Sequence, residues 1–240
     1  MTSDNIIHIA SFDIGKLNFV FYIEEVDLDG IQNIKNIPKE KRYNTNGTPT
    51  EEFNTILEEV YKNGKKILIK KYDLTTKDVD KEKYFDFNLC YNMVDVLDEY
   101  VEYWENVDII IVERQMSFRK KINTMALKLG QHCESYFINK YGRNKIIIEF
   151  EAYYKTQILG AEKTLITTKT GRRSYKNMTD YQRKKWAIEE AFSVLSLRDD
   201  YETMSEIGSI KKKDDLSDTI IQLQAFKYLY YIDNTYYQNN

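Results

Sequence analysis

The sequence predicts an α/β fold: a mixed five-stranded sheet, with antiparallel front strands and parallel crossovers, flanked by helices. Two strand-like runs follow each other closely near the N-terminus, and two further apolar runs each follow an amphipathic helical pattern. No run of 18 apolar residues offers a membrane span. Because 240 residues suffice for the core of one large domain, we predict a single domain over 1–240.

The front of the sheet is predicted from the N-terminal third. An apolar run over residues 6–12 forms the first strand and ends at Asp13. Gly15 supplies a turn, and residues 18–26 form a second strand that pairs with the first as an antiparallel hairpin. Residues 66–74 form a third strand at the sheet edge. An aspartate such as Asp13 at a strand end commonly hydrogen-bonds the turn backbone.

A polar segment separates the second predicted strand from the third. Residues 27–64 contain both prolines of the chain and few apolar residues. Within this segment, apolar side chains recur at helical spacing between residues 50 and 62, which predicts one amphipathic helix. We interpret residues 27–64 as an insertion between core strands.

Helices alternate with buried strands in the middle of the chain. An amphipathic helix is predicted over 87–104, and a β-branched strand over 107–112 then runs directly into Glu113. A second helix over 122–141 leads to another strand over 145–150. Burying a carboxylate at the end of a strand costs free energy of desolvation unless a cation or a hydrogen-bond donor contacts it. Glu113 therefore either reaches solvent or has a function.

The C-terminal part is predicted to be helical apart from one basic stretch. A short helix ends at Gly160, and the polar stretch up to Asn177 is predicted to be a mobile basic loop. Thr179 caps a helix that continues to Leu197. The last helix begins near Asp214 and carries a buried apolar stripe.

Charge is distributed very unevenly along the chain. The net charge is only −3, yet residues 114–185 carry +12 and the remainder carries −15. A block of like charge is usually a solvated face, but this asymmetry favours a surface that binds a polyanion such as a nucleic acid.

Cysteines and histidines are scarce. The two cysteines do not lie at metal-ligand spacing, and two histidines argue against a zinc site or a catalytic histidine. The N-terminus lacks the basic and apolar regions of a secretory signal. We therefore expect the protein to function inside a cell, in a reducing compartment.

Acidic residues at three places predict a metal site. Asp215 and Asp218 are three residues apart, and Asp214 and Asp218 are four apart, so which pair shares a helix face stays open. Aspartates in a first helical turn commonly serve as caps and dipole partners. Together with Asp13 and Glu113 they would form a four-carboxylate cluster, which suits Mg²⁺ or Mn²⁺. Two such ions about 4 Å apart are the usual arrangement for phosphodiester hydrolysis.

Three motifs carry a resemblance to a known family. They are SFDIGKLN around Asp13, IIIVERQ around Glu113, and KKDDLSD around Asp215 and Asp218. Together they resemble the RuvC-like Holliday junction resolvases of the ribonuclease-H-like superfamily. The resemblance is strongest to the branch found in poxviruses and related large DNA viruses.

Two further segments extend this resemblance over nearly the whole chain. ALKLGQ at 126–131 is similar to a helix of bacterial resolvases, and AYYKTQILG at 152–160 is similar to a lysine-bearing segment of the family. Residues 27–64 and 164–178 have no counterpart. The resemblance implies a ribonuclease-H-like fold and the activity of a metal-dependent endonuclease. Such an enzyme cuts opposite strands of four-way DNA junctions during recombination.

The resemblance also implies roles for individual residues. The two metal ions would be bound by Asp13, Glu113, Asp215 and Asp218, with Asp214 as an alternative ligand. Lys155 matches the family lysine near the scissile phosphate, and Lys163 is a weaker match. The residues that we predict to contact DNA are Arg114, Gln115, Arg119, Lys120, Lys121, Lys163, Arg172, Arg173 and Lys176.

The family acts as a two-fold symmetric dimer, which would place helix 122–141 at or near the interface. Its apolar stripe includes Met125, Leu129 and Cys133. A crossover helix that merely covers the sheet would have the same stripe. If the protein is viral, it would act in the cytoplasm of the infected cell.

Three alternatives remain open. Actin-like ATPases also have an aspartate and a glycine after a first strand, but they need a second glycine-rich loop that nine glycines do not supply. We therefore expect no nucleotide cofactor. A non-catalytic DNA-binding module would keep the basic residues without needing the acids. A ribonuclease H would act on RNA–DNA hybrids and contact the 2′-hydroxyl groups.

Overall fold

A computed structural model describes residues 5–75, 85–115, 123–167 and 171–234. The chain divides into two compact units. The sheet unit consists of Ile6–Val26 and Lys65–Ala152, whereas the helical unit contains Asp27–Gly64 and the residues from Tyr153 onward. The segment that we interpreted as an insertion thus groups with the C-terminal part of the chain. The prediction of a single domain stays a prediction.

Strands and helices alternate along the described residues. The strands are β1 (Ile6–Asp13), β2 (Phe19–Asp27), β3 (Lys65–Tyr72), β4 (Ile109–Arg114), β5 (Ile146–Glu151), β6 (Thr164–Thr167) and β7 (Arg173–Lys176). The α-helices are α1 (Leu28–Gln32), α2 (Glu51–Lys62), α3 (Asn88–Asp98), α4 (Val101–Asn106), α5 (Thr124–Tyr141), α6 (Tyr153–Ile158), α7 (Asp180–Ser196), α8 (Tyr201–Ser209) and α9 (Asp214–Lys227). Two 3₁₀-helices and a π-helical segment cover Lys39–Lys41, Gly142–Asn144 and Tyr228–Ile232.

Five strands of the sheet unit form one mixed sheet in the order β3-β2-β1-β4-β5. β2 and β3 are antiparallel, whereas β4 runs parallel to both β1 and β5. Residues 14–18 connect β1 to β2, and so short a connection between neighbouring strands permits only an antiparallel pair. The predicted mixed five-stranded sheet is therefore confirmed.

Aromatic side chains form the centre of the sheet-unit core. Phe12 on β1 lies 5.6 Å from Trp104 on α4 and 5.5 Å from Phe137 on α5, measured between ring centroids. Phe21 on β2 contacts the same tryptophan at 5.1 Å. All four side chains are fully buried. Each such pair contributes about 1 kcal/mol beyond the area that it buries, so these rings fix the helices on this face of the sheet.

The helix predicted over residues 87–104 is interrupted, so the prediction of one continuous helix is wrong. α3 ends at Asp98, and α4 begins at Val101 after a turn. The buried indole N–H of Trp104 donates a hydrogen bond of 2.7 Å to the carbonyl of Leu97, near the end of α3. The same carbonyl also accepts the backbone N–H of Tyr100 (3.2 Å), so the indole supplies an additional donor where α3 ends. Packing of one tryptophan thus stabilises the break.

The apolar stripe of α5 lies in the core of its own chain. Leu129 and Cys133 are both fully buried and pack with the aromatic cluster of the sheet unit, and Met125 packs against them. The buried side chains of this stripe therefore do not form a dimer interface, whereas the placement of α5 at or near such an interface stays a prediction. A crossover helix must cover the sheet, and these residues do so. The predicted start of the helix at Ile122 lies outside the described residues.

Glu134 on the same helix makes the stability of the sheet unit depend on pH. Burial, reinforced by the nearby Glu149 carboxylate, raises the pKa of Glu134 from an ordinary value of 4.5 to about 7. The folded chain therefore holds a proton that the unfolded chain releases, so stability decreases as pH rises from 4.5 to 7. We expect Glu134→Gln to increase the free energy of unfolding by about 1 kcal/mol at pH 8 and by little at pH 4. Urea denaturation at both pH values measures this, and an equal effect at both would contradict the shift.

The helical unit incorporates residues 27–64 through α2. Helices over 50–62, over 179–197 and from Asp214 onward were predicted, and all three are confirmed as α2, α7 and α9. The side chain of Lys227 on α9 is fully buried, and its Nζ donates hydrogen bonds to the carbonyls of Val60 (2.9 Å) and Asn63 (2.5 Å). These carbonyls belong to the C-terminal end of α2, where the helix itself supplies no donors.

The stretch that ends at Asn177 contains strands, so its prediction as a loop is wrong. β6 and β7 pair as an antiparallel ribbon in which Leu165 faces Tyr175 and Ile166 faces Ser174. The run Thr-Leu-Ile-Thr has high β-propensity, which the neighbouring basic residues obscured. Gly171, just before β7, has φ = 80°, a backbone conformation that favours glycine.

Candidate active site

Two of the predicted metal ligands lie side by side at the carboxyl ends of two neighbouring inner strands of the sheet. Asp13 is the last residue of β1, and Glu113 is the last but one of β4. The two strands are parallel, and Phe12 is the register partner of Val112. Asp13 and Glu113 each follow one residue later, so their carboxylates occupy the same edge on strands about 4.8 Å apart.

Both acidic side chains project from the face opposite to the aromatic core. Phe12 and Val112 pack in that core. Because side chains alternate between faces along a strand, Asp13 and Glu113 point to the other side. Both residues are half-buried. Two carboxylates this close repel each other unless positive charge offsets the repulsion, so the pair is suited to bind a cation.

The neighbouring arginine belongs to a different cluster. Arg114 forms ion pairs with Glu149 (3.4 Å) and Glu151 (2.6 Å) on β5. By the same alternation these three side chains share the core-side face, away from Glu113. Gln115 is half-buried, and its side-chain amide donates a 3.4 Å hydrogen bond to the carbonyl of Glu113. Contact of Arg114 and Gln115 with DNA stays a prediction.

In the helical unit, Lys155 and Asp218 form an ion pair. The Nζ of Lys155 on α6 lies 3.1 Å from the Asp218 carboxylate on α9. Lys155 is only 6 % exposed, which contradicts a simple surface role for this lysine. Because a buried ammonium is costly to desolvate, the aspartate stabilises it in its charged form. The ion pair thus holds positive charge next to a predicted metal ligand.

The first turn of α9 has a cationic partner that the sequence analysis missed. Lys184 on α7 forms an ion pair with Asp214. This hydrogen bond, with the charges of Asp214, Asp215 and Asp218, raises the pKa of Lys184. Nothing in the sequence distinguished this lysine from the other basic residues between 163 and 185. Asp215 lies beside this pair in the same turn and is half-buried.

The predicted metal ligands are thus distributed over both units. Within either unit, the described residues contain no group of three or more His, Cys, Asp or Glu side chains arranged to hold a metal ion. The sheet unit supplies Asp13 and Glu113, and the helical unit supplies the acids of α9. The predicted union of all four carboxylates in one site stays a prediction. The donor set consists of carboxylate oxygens alone, which fits Mg²⁺ or Mn²⁺.

The basic residues predicted to contact DNA differ in what the structure shows of them. Arg119, Lys120 and Lys121 lie outside the described residues. Lys163, Arg172, Arg173 and Lys176 are exposed on β7 or immediately beside the ribbon of β6 and β7. The ribbon that presents them was not predicted from the sequence.

Comparison with known proteins begins with sequence. No protein-family model matches the chain. Protein 170L of invertebrate iridescent virus 6 is 34 % identical over 243 aligned residues, which cover 95 % of this chain and 91 % of that protein. The chain belongs to the 170L family. This 170L-family chain is also 29 % identical to protein 97L of invertebrate iridescent virus 3, over 91 % of its own length and 98 % of the relative. Both relatives are described as uncharacterized, so their names assign no activity.

A solved structure identifies the fold of this 170L-family chain. The fowlpox virus resolvase in complex with Holliday junction DNA matches it with a TM-score of 0.50 at 19 % identity. The match covers 93 % of this chain and 99 % of the resolvase. The chain therefore shares the fold of the fowlpox virus resolvase, and the predicted ribonuclease-H-like fold is confirmed. No helix among the described residues is long and apolar enough to cross a membrane.

Proposed function

We propose that this protein is a Holliday junction resolvase, a metal-dependent endonuclease that cuts opposite strands of four-way DNA junctions. The observation that carries the proposal is the placement of Asp13 and Glu113 on adjacent parallel strands, at one edge of the sheet. The fowlpox virus resolvase, which shares the fold, is named for this activity and was solved with junction DNA. That likeness supports the choice of substrate.

Four carboxylates are the proposed metal ligands. In this proposal Asp13, Glu113, Asp215 and Asp218 hold two Mg²⁺ or Mn²⁺ ions. Such ions, when bound, supply an activated water and stabilise the leaving oxygen during phosphodiester hydrolysis. Asp215 is proposed as the ligand, as the resemblance implies, and Asp214, which pairs with Lys184, is the alternative.

Lys155 would act on the substrate through its charge. Its Nζ is buried and held at 3.1 Å from Asp218. An ammonium fixed beside a ligand of the metal can meet a phosphate oxygen without first losing the freedom of a mobile surface lysine. We therefore assign it the stabilisation of the scissile phosphate.

The substrate and the assembly follow from charge and symmetry. Residues 114–185 carry +12, and phosphate contacts supply most of the affinity for DNA. A junction separates into two ligatable duplexes only when opposite strands are cut at symmetric positions, which two identical sites on a two-fold axis achieve. We therefore propose a homodimer. The relatives of this protein come from iridescent viruses, so we propose that the protein acts on branched DNA in infected cells.

Cleavage of a synthetic four-way junction tests this function. We expect the purified chain with Mg²⁺ to cut the junction into two ligatable duplexes, and to leave an RNA–DNA hybrid of equal length intact. Omission of the metal should abolish cutting. Sedimentation should report a mass near twice 28.6 kDa.

Two results would contradict the proposal. Preferential cutting of the hybrid would assign the fold to a ribonuclease H. A monomer that nicks a single strand of the junction at random would leave only a general metal-dependent nuclease.

A further inference from the structure

The ribbon of β6 and β7 exposes apolar side chains on both faces. Every residue of the two strands is exposed. Leu165, Ile166 and Tyr175 are 50 %, 37 % and 42 % exposed. Register pairing places Leu165 and Tyr175 on one face, whereas Ile166 lies on the other. A two-stranded ribbon alone is marginally stable in water, so its apolar side chains favour a bound partner.

The charge of the ribbon indicates the chemistry of that partner. Residues 163–176 contain five basic residues and no acidic residue. Among those described, Arg173 and Lys176 lie on β7 itself, and Lys163 and Arg172 flank the two strands. Cations interleaved with apolar side chains complement a surface that carries phosphates along its rims and apolar groups between them.

The base of the ribbon is fixed to the loop that precedes α2. The backbone N–H of Lys163 donates to the carbonyl of Asn46 (2.7 Å), and the side-chain amide of Asn46 donates to the Glu162 carboxylate (3.1 Å). The hydroxyls of Thr45 and Tyr175 are 3.4 Å apart. These contacts orient the ribbon from its root and leave its strands exposed.

We propose that this ribbon enters the major groove of a duplex arm and contacts thymine methyl groups with its apolar side chains. The proposal rests on the proposed function in that the arm belongs to the branched DNA substrate. Four residues per strand give a ribbon about 13 Å long. The major groove is about 12 Å wide and admits a two-stranded ribbon.

The groove also explains the pattern of side chains. Leu165 and Tyr175, which share one face of the ribbon, can cover thymine C5-methyl groups, which lie only in the major groove. Arg173 and Lys176 can then reach the phosphates that border it. Single-stranded DNA would require bases stacked on several aromatic rings, and the ribbon offers only Tyr175.

Replacement of thymine by deoxyuridine tests the contact directly, because it removes only the C5-methyl group. Binding is measured on linear duplexes without Mg²⁺, so no strand is cut. We expect the wild-type chain to lose about fourfold in affinity for each methyl contacted. Leu165→Ser/Tyr175→Ser should bind the thymine duplex as weakly as the wild-type chain binds the uracil duplex, and should not distinguish the two. Ile166→Ser lies on the other face and should keep the preference for thymine.

A second pair of variants tests the phosphate contacts. Arg173→Gln/Lys176→Gln should lower affinity for every sequence and reduce the slope of log affinity against log salt by about two. Lys39→Gln/Lys62→Gln removes the same charge from two exposed lysines on other elements of the helical unit, and should leave the slope nearly unchanged. All ribbon side chains are exposed, so each variant should melt within a few degrees of wild type.

Several outcomes would overturn the proposal. Equal affinity of the wild-type chain for thymine and uracil duplexes would exclude the methyl contact. A ribbon variant that lowers the sedimenting mass but not DNA affinity would assign the ribbon to a second copy of the chain. Ribbon variants that bind DNA with unchanged affinity and cleave the junction normally would refute the role of the ribbon in DNA binding. They would leave the proposed resolvase activity intact. Binding that is weaker on uracil duplexes, without any junction cleavage, would support the methyl contact of the ribbon and refute the proposed resolvase activity.

Discussion

Asp13→Asn and Glu113→Gln should each lower the rate of junction cleavage by a factor on the order of a thousand, because each removes a ligand from the proposed metal site. Both side chains lie on one face of the sheet at the same edge. Junction affinity should change little, since it depends mainly on basic residues that contact phosphate. Single-turnover cleavage and equilibrium binding, measured on the same labelled junction, separate the two effects.

A matched control lies on the neighbouring strand. Glu151 ends β5 at the same sheet edge, but it projects from the opposite face and pairs with Arg114. Glu151→Gln removes the same charge and should retain most of the cleavage rate. In α9, Asp215→Asn should reduce cleavage more than Asp214→Asn, because Asp215 is the proposed metal ligand whereas Asp214 pairs with Lys184. Near-normal turnover of Asp13→Asn or Glu113→Gln would remove that residue from the site.

Leu129→Asp should unfold the sheet unit and should not yield a folded monomer. Leu129 is fully buried and packs among the aromatic core residues. The substitution leaves a cavity and buries a carboxylate without a cation, which together cost about 4 kcal/mol or more. Such a loss is comparable with the whole stability of many domains. Thermal denaturation followed by circular dichroism measures it.

Ile138 provides the control on the same helix. Its side chain is 54 % exposed, so Ile138→Asp should fold with nearly unchanged stability. If the Leu129→Asp chain melts like wild type yet sediments at half the mass, Leu129 lies in a dimer interface and not in the core. Loss of folding in both variants would mean that α5 tolerates a charge at neither position. That result would contradict the expectation from the exposed side chain of Ile138.

The sequence predicted the sheet well because its signals are local. β-branched runs bounded by a turn or a charge located β1, β4 and β5, and parallel pairing then required Asp13 and Glu113 to share an edge. The burial of Lys155 could not be predicted in this way. The local sequence of this lysine, which follows two tyrosines, does not reveal whether its side chain reaches solvent or pairs with an aspartate on another helix.

The predictions that were wrong depended on tertiary contacts or on competing signals. The break between α3 and α4 comes from a hydrogen bond of Trp104 that spans seven residues and requires the folded core. The stripe of α5 was visible, but periodicity does not reveal which surface covers it. For β6 and β7, the many basic residues led to the prediction of a loop, although the sequence contains a short β-branched run that forms a strand.

The buried ammonium of Lys227 bears on attempts to build a smaller enzyme. Its Nζ donates to carbonyls of Val60 and Asn63 at the end of α2. Excision of residues 27–64, the segment interpreted from the sequence as an insertion, would remove both of these acceptors from a side chain that is fully buried in the intact protein. A shortened version would therefore need Lys227→Met or a similar apolar replacement in the same design. Chains of this family that lack the segment should carry an apolar residue at that position.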